Sequence, residues 1–231
     1  VEEETKSRNL NFFDATCPLV TKVHMEVRKH ANAEKDIILI GHAGHPEVEG
    51  TMGRHINTAN SSIYLVQDEN DASSIKINKE HQLAVVTQTT LSVDETKSII
   101  SILKNRFPDI LVPKKDDICY ATQNRQDAVK QLALESDFMI VVGSKNSSNS
   151  NRLKELSEKC GCKSVLIDEF NDLDINSLSN HSRISITAGA SAPESRVMEI
   201  AKSLESHLGA KIIEHGEDNE NIYFKLPPGL R

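Results

Sequence analysis

The stretch ILIGHAGHPEVEGTMG, residues 38–53, combines side chains that can transfer protons with glycines that permit tight turns. His45 and Glu47 stand on either side of Pro46, directly after an apolar run. Proline favours the first turn of a helix, so both titratable groups are predicted to lie at a helix N-terminus on the rim of a sheet. Imidazole and carboxyl groups in such a place are suited to acid–base chemistry. Three other histidines are interpreted as structural: His24, His42 and His55.

Cysteines are the second group with possible chemistry. The chain has four, and no secretory signal pattern is recognisable, so metal or redox roles are favoured over disulfides. Cys17 and Cys119 are each predicted to follow a strand, at equivalent positions of a repeat, which suits two ligands of one metal centre. A third unit would add a third cysteine, and three thiolates on a cubane cluster leave one iron open as a Lewis acid. Cys160 and Cys162 are predicted to lie at a helix end remote from that rim.

Polar loops follow four of the predicted strands, at the ends where parallel sheets gather their ligands. Their Ser, Thr, Asn and Gly residues supply the hydroxyls, free N–H groups and helix N-termini that phosphate groups require. The chain has no Walker lysine pattern, which excludes a P-loop. The four loops read GHAGHPEVEGT, TQTTLS, GSKNSSNSN and TAGASAP.

Short β-branched runs alternate with amphipathic helical segments, which predicts an α/β fold whose parallel strands are covered on both faces. Strands are expected at 37–40, 82–87, 138–142, 164–168 and 183–188. Helices are expected over DETKSIISILKNRF and ESRVMEIAKSLESHL, and each of these would open at a Ser-x-x-Glu capping box. The two boxes are Ser92 with Glu95 and Ser191 with Glu194.

Matching offsets indicate a repeated unit. Cys17 precedes the strand-ending Gly41 by 24 residues, and Cys119 precedes the strand-ending Gly143 by the same number. The fold class is therefore predicted as pseudo-repeated parallel-sheet units. The predicted boundaries are 1–16 for the remnant of a first α/β unit, 17–115 for the second, 116–212 for the third and 213–231 for a C-terminal tail.

Composition restricts the classes of partner. A net charge of −7 argues against sequence-independent binding of nucleic acid, and an aromatic content of 4% argues against the stacking of bases on aromatic side chains. No apolar run is long enough to cross a membrane. A cytoplasmic protein that binds neither nucleic acid nor membrane is expected.

Six motifs together resemble one known family. They are FDATCPLVTKVH, GHAGHPEVEGTMG, TQTTLSVDET, DDICYATQNRQ, GSKNSSNSNRL and TAGASAP. On these motifs the chain is similar to the 4-hydroxy-3-methylbut-2-enyl diphosphate reductases, the last enzymes of the non-mevalonate isoprenoid pathway. Family members are trefoils of three α/β units around a 4Fe–4S cluster. The resemblance therefore implies a three-unit trefoil with two units complete here and the first mostly missing.

Carried over position by position, the resemblance implies roles for individual residues. Cys17 and Cys119 would be cluster ligands. Glu47 would deliver the proton that lets the substrate hydroxyl leave as water, and His45 would contact the substrate near its hydroxymethyl end. Thr89 would hold that hydroxyl and the Glu47 side chain in position relative to each other. The other substrate-binding residues that it implies are Thr90, Ser147, Ser148, Asn149 and Ser191, the last four for the diphosphate.

The implied reaction is reductive dehydroxylation of 4-hydroxy-3-methylbut-2-enyl diphosphate to isopentenyl and dimethylallyl diphosphate, with electrons from a ferredoxin or flavodoxin. Family members carry a third cluster cysteine and two diphosphate-binding histidines in the first unit, and these have no counterpart in this chain. We therefore expect this chain alone to hold its cluster poorly. Two alternatives stay open: a non-redox α/β protein that binds a phosphorylated metabolite, and a truncated, non-catalytic relative. Brown colour after anaerobic purification would exclude the first.

Overall fold

Two parallel three-stranded sheets form the framework of the computed structural model, which describes residues 2–55, 60–77, 82–113, 117–178, 180–216, 222–226 and 230. A short helix, α1 (Glu2–Ser7), comes first. The first sheet and its helices comprise α2 (Pro18–Asn32), β1 (Asp36–Ile40), α3 (Pro46–Met52), β2 (Ile63–Val66), α4 (Glu69–Ser74), β3 (Leu83–Thr87) and α5 (Val93–Arg106). The second sheet and its helices comprise α6 (Tyr120–Glu135), β4 (Phe138–Val142), α7 (Ser148–Lys159), β5 (Lys163–Ile167), 3-10 turns at Phe170–Asp172 and Ile175–Leu178, β6 (Ile184–Ala188) and α8 (Glu194–Leu208).

The two sheets repeat one topology. Their strand orders are β2–β1–β3 and β5–β4–β6, and every pairing is parallel. A strand that leads into a helix and then into a parallel neighbour is the βαβ unit that the alternating pattern predicts. The parallel α/β fold and its internal repeat are thus confirmed. The unit boundaries stay predictions, although each sheet lies inside one of the predicted ranges.

Side-chain alternation along the central strands divides each unit into two cores. In β1, Ile37 and Leu39 pack with α2 and α3, whereas Ile38 and Ile40 pack with α4 and α5. Successive strand residues point to opposite faces, so a strand covered by helices on both sides must be apolar throughout. Complete burial of each such side chain stabilises the fold by roughly 1.5–3 kcal/mol. The second sheet divides likewise: Met139 and Val141 face α6 and α7, and Ile140 and Val142 face α8.

All five predicted strands are confirmed to within a residue or two, but three expectations about strands were wrong. The predicted set has no counterpart of the edge strand β2, although its sequence IYLV is an unbroken apolar run. The prediction that each strand is covered on both faces is wrong for β6, because β6 is an edge strand and its five residues are all half-buried. The strands expected before the two rim cysteines are also absent from the described residues. The nearest structure is a single bridge between Leu111 and Ala84, ahead of Cys119.

The two predicted capping boxes differ in outcome. Ser92 is the N-cap of α5, and its hydroxyl accepts a hydrogen bond from the Glu95 amide at 3.4 Å. Ser191 caps nothing, because α8 begins at Glu194 with Pro193 as its N-cap and no side-chain cap. Proline disfavours helical backbone in the residue before it, so the helix begins two residues later than the motif predicts. Among the described residues, no helix has both the length and the hydropathy needed to cross a bilayer.

Candidate functional site

Cys17 and Cys119 occupy equivalent places in the two units. Each is the N-cap of the helix that leads into a central strand, with backbone angles of φ −52° and ψ 132° for Cys17 and φ −59° and ψ 134° for Cys119. Those helices run antiparallel to the strands they precede, so they begin at the carboxyl edge of the sheets. Neither thiol makes a capping hydrogen bond, and both are free cysteines. Cysteine sulfur is the usual protein ligand of iron–sulfur clusters, so both free thiols are suited to bind iron.

The other two cysteines lie at the opposite edge. Cys160 is the exposed C-cap of α7, and Cys162 is buried just before β5 begins. The prediction that they lie at a helix end is confirmed, and this end faces away from the carboxyl edge. In the part of the chain that the structure describes, no group of three or more His, Cys, Asp and Glu side chains could hold a metal ion.

The loop after β1 places His45 and Glu47 at the start of α3. His45 is the N-cap and Pro46 follows in the first turn, as predicted. The Nδ1 atom of His45 accepts a hydrogen bond from the Glu47 amide at 3.2 Å. Burial, together with the neighbouring His42, lowers the pKa of His45. A neutral ring whose Nδ1 is an acceptor carries its proton on Nε2, which is therefore a hydrogen-bond donor.

Thr89 holds the Glu47 carboxylate. Its backbone N–H donates to Oε1 at 2.5 Å, and its hydroxyl donates to Oε2 at 3.2 Å. Burial nevertheless raises the pKa of Glu47, since desolvation outweighs the two Thr89 hydrogen bonds that favour the charged form. The Thr89 carbonyl also accepts a hydrogen bond from the Cys119 amide at 2.9 Å. One residue thus joins the buried carboxyl group to the start of a cysteine-capped helix.

The loop after β4 builds the second polar cluster, at the start of α7. Ser147 is the N-cap, and its hydroxyl accepts from the Ser150 amide at 3.2 Å. Asn149 is only 5% exposed, yet neither its side-chain nitrogen nor its side-chain oxygen has a partner among the described residues. Buried polar atoms are nearly always paired within a native protein, so an unpaired amide at a helix N-terminus indicates a ligand position.

Two glycines let the loops of the second unit converge there. A Cβ atom on Gly143 would lie 2.3 Å from the Ser150 hydroxyl oxygen, and one on Gly189 would lie 2.2 Å from the same atom. Both positions therefore exclude a side chain. This close approach brings the loop with Gly189 and the exposed Ser191 beside Asn149.

The two units meet through polar side chains at this rim. The Gln88 amide nitrogen donates to the Thr90 hydroxyl at 2.8 Å and to the Ser148 hydroxyl at 3.4 Å. Thr90 and Ser148 lie 3.3 Å apart, oxygen to oxygen. The structure thereby brings together the TQTT and KNSSN motifs, which are about sixty residues apart in the chain.

Sequence reasoning missed two further residues of this rim. His42, interpreted above as structural, has its Nε2 atom 3.0 Å from a guanidinium nitrogen of Arg152. Both residues line an open cavity of about 410 Å³ together with His45 and Ser148. These contacts join residues 110 positions apart, and no local pattern indicates them.

Comparison with known proteins shows the family of this chain. The model of the LytB protein family matches residues 1–205. The chain is 54% identical to the 4-hydroxy-3-methylbut-2-enyl diphosphate reductases of Alcanivorax borkumensis and Saccharophagus degradans, over its whole length and 74% of theirs. The solved E-1-hydroxy-2-methyl-but-2-enyl-4-diphosphate reductase of Plasmodium falciparum superposes with a TM-score of 0.91 at 37% identity, covering 98% of this chain and 70% of that one. This chain therefore belongs to the LytB family, whose named relatives are 4-hydroxy-3-methylbut-2-enyl diphosphate reductases.

Proposed function

We propose that this chain supplies the substrate-binding and proton-delivery residues for the reductive dehydroxylation of 4-hydroxy-3-methylbut-2-enyl diphosphate to isopentenyl and dimethylallyl diphosphate. The carbon–oxygen bond breaks with uptake of two electrons and two protons. One proton leaves with the hydroxyl as water, and the other is added to the allylic carbon skeleton. The relatives' names supply the substrate, and the geometry of the rim supports a role for each residue.

Glu47 is the proposed proton donor to the leaving hydroxyl. Hydroxide is a poor leaving group, so an acid positioned to protonate it as it leaves lowers the barrier. Burial raises the pKa of Glu47, which increases the fraction of this group that carries a proton at a given pH. Thr89 fixes the orientation of the carboxyl group through its amide and its hydroxyl, and the Nε2 proton of His45 is proposed to donate to the substrate. The single observation that carries the proposal is the position of Glu47, a buried carboxyl group with a raised pKa. Thr89 hydrogen-bonds both to this group and to the amide of Cys119, where α6 begins.

The diphosphate is proposed to bind at the start of α7. Asn149 has unpaired buried amide atoms, Ser147 and Ser148 present hydroxyls, and the α7 N-terminus favours negative charge. Ser191 completes the proposed diphosphate contacts from the loop after β6, and Thr90 is proposed to contact the substrate beside Thr89. Anchoring the charged end in this way would orient the carbon that bears the hydroxyl toward Glu47.

Cys17 and Cys119 are proposed to ligate a 4Fe–4S cluster. Their free thiols at helix N-termini fit iron coordination, and they lie at the same edge of the sheets as Glu47 and Asn149. When bound, the cluster would supply the electrons and a Lewis acid for the leaving hydroxyl. A ferredoxin or flavodoxin is proposed as the electron donor. Free thiols throughout are consistent with a reducing compartment such as the cytoplasm.

Calorimetric titration of the chain with 4-hydroxy-3-methylbut-2-enyl diphosphate tests the proposal. We expect saturable binding that Asn149→Ala weakens by about tenfold or more, since a hydrogen bond to a charged group is lost. Glu47→Gln should leave the affinity within about threefold, because the protonated acid and the amide are nearly isosteric. Asn70→Ala, on the exposed surface of α4, is the matched control. Failure of the unmodified chain to bind, or full affinity in Asn149→Ala, would contradict the proposed site.

A further inference from the structure

Arg152 is a charged side chain that joins the two units beside the rim. It lies on the second turn of α7, and its side chain is only 13% exposed. One guanidinium nitrogen pairs with Glu95 of α5 at 3.0 Å and with Glu155 of α7 at 2.8 Å. The other lies 3.0 Å from Nε2 of His42, in the loop that leads to α3. Three elements therefore meet at one half-buried cation.

The contact with His42 bears directly on the loop that carries the proposed acid. The His42 amide donates to the Gln88 side chain at 3.1 Å, and the Ala43 amide donates to the Gln67 side chain at 2.9 Å. These bonds, with the Arg152 contact, fix the turn that positions the N-terminus of α3. Since an arginine only donates hydrogen bonds, Nε2 of His42 is the acceptor and this ring is neutral.

The same helix contacts the first unit a second time, one turn earlier. Ser148 and Arg152 are four residues apart on α7, so they lie on one face, and Ser148 meets Gln88 and Thr90. Two contacts separated by one helical turn fix the distance of α7 from the first unit and also its orientation. Glu95, which the sequence assigns to a reciprocal capping box, instead pairs with Arg152 and with Lys159.

Ion pairs with exposed carboxylates such as those of Glu95 and Glu155 contribute little to stability, but a guanidinium held by several partners at once can specify one geometry. We infer that Arg152 is a positioning residue: through His42 and Glu95 it sets the separation between the loop bearing His45 and Glu47 and the start of α7. A substrate whose hydroxyl end and diphosphate end are bound by different units requires that separation to be fixed. The choice of ligand rests on the proposed function above.

Two ligands of different length test this inference. The substrate 4-hydroxy-3-methylbut-2-enyl diphosphate is expected to span both loops, whereas inorganic pyrophosphate is expected to contact only the diphosphate-binding residues of the second unit. In titrations of the whole chain, Arg152→Met should weaken substrate binding by about tenfold and pyrophosphate binding by less than about threefold. Arg152→Lys keeps the charge but loses the planar fork, so it should show the same selective loss at about threefold. Lys154→Met is the matched control, since its exposed pair with Glu158 lies within α7.

Amide hydrogen exchange of the chain without ligand tests the positioning itself. Arg152→Met should speed exchange at His42 and Ala43 by about tenfold and leave the β3 amides unchanged. Equal losses of affinity for both ligands, unchanged exchange at those two amides, or an Arg152→Lys protein identical to the unmodified chain would each overturn the inference. If the unmodified chain binds neither ligand, the proposed function fails, and the exchange experiment alone decides whether Arg152 positions the loop.

Discussion

Replacing Asn149 should separate the stability of this protein from its affinity for diphosphate. Both polar atoms of the Asn149 side chain are buried without a partner among the described residues, and each such atom costs the folded state about 1–3 kcal/mol. Asn149→Ala removes both penalties and loses only the packing of a small side chain. We therefore expect its free energy of unfolding to equal or exceed that of the unmodified chain.

Affinity should change in the opposite direction. A hydrogen bond from the Asn149 amide to a charged phosphate oxygen is worth about 1.5–3 kcal/mol, so pyrophosphate binding should weaken by about 10- to 150-fold. Asn151→Ala is the contrasting variant, because the Asn151 amide donates to the carbonyls of Lys145 and Ser147 at 2.7 and 2.9 Å. Loss of those two bonds should destabilise the chain by about 1–3 kcal/mol.

Urea unfolding followed by far-ultraviolet circular dichroism, with calorimetric titration of pyrophosphate on the same samples, measures both quantities. The reasoning is refuted if Asn149→Ala is destabilised as much as Asn151→Ala while its pyrophosphate affinity is unchanged. In that case the Asn149 amide serves the fold, and the diphosphate must bind elsewhere.

Three further results are expected at the proposed acid and the proposed cluster ligands. Thr89→Val should raise the pKa of Glu47 further, because the carboxylate loses a hydroxyl donor; a ¹³C NMR titration of the carboxyl group measures it, and an unchanged pKa contradicts the Glu47–Thr89 pairing. As the pH rises above 4.5, the free energy of unfolding of Glu47→Gln should increase relative to that of the unmodified chain. The raised pKa of Glu47 stabilises the folded state at low pH, and the unmodified chain loses this stabilisation as the carboxyl group ionises. Urea unfolding between pH 4 and 8 checks this, and a pH-independent difference refutes it. After anaerobic reconstitution the chain should hold fewer than the four irons of a 4Fe–4S cluster, and Cys17→Ser or Cys119→Ser should lower that content while Cys160→Ser does not, as iron analysis would show. Four irons per chain would contradict the expected ligand shortage.

The strands and the repeat were predictable because their signals are local. A strand buried on both faces must be apolar at every position, so β1 and β3 stand out as unbroken β-branched runs. The start of α3 was equally readable, since His45, Pro46 and Glu47 are adjacent and proline prefers the first helical turn. The edge strand β2 was not predicted, although its sequence IYLV is also apolar at every position.

The contacts between the two units at the rim could not be predicted from local sequence patterns. The pairing of Arg152 with His42 joins residues 110 positions apart, and nothing near either residue in the sequence indicates the other. Local motifs also mislead when tertiary contacts compete for their groups: Glu95 completes no reciprocal box because it pairs with Arg152. The family resemblance names Asn149, but the burial of its side-chain amide without a partner among the described residues could not be read from the sequence.

Turnover by a chimeric enzyme tests the central claim most directly. The region of the Alcanivorax borkumensis reductase that this chain does not cover, about a quarter of that protein, would be joined to this chain in the order of the relative. The reconstituted chimera would be assayed anaerobically with 4-hydroxy-3-methylbut-2-enyl diphosphate and a chemical reductant. The account predicts formation of isopentenyl and dimethylallyl diphosphate and a fall in kcat of about 100-fold or more with Glu47→Gln, at nearly unchanged KM. Full turnover by the Glu47→Gln chimera would contradict it.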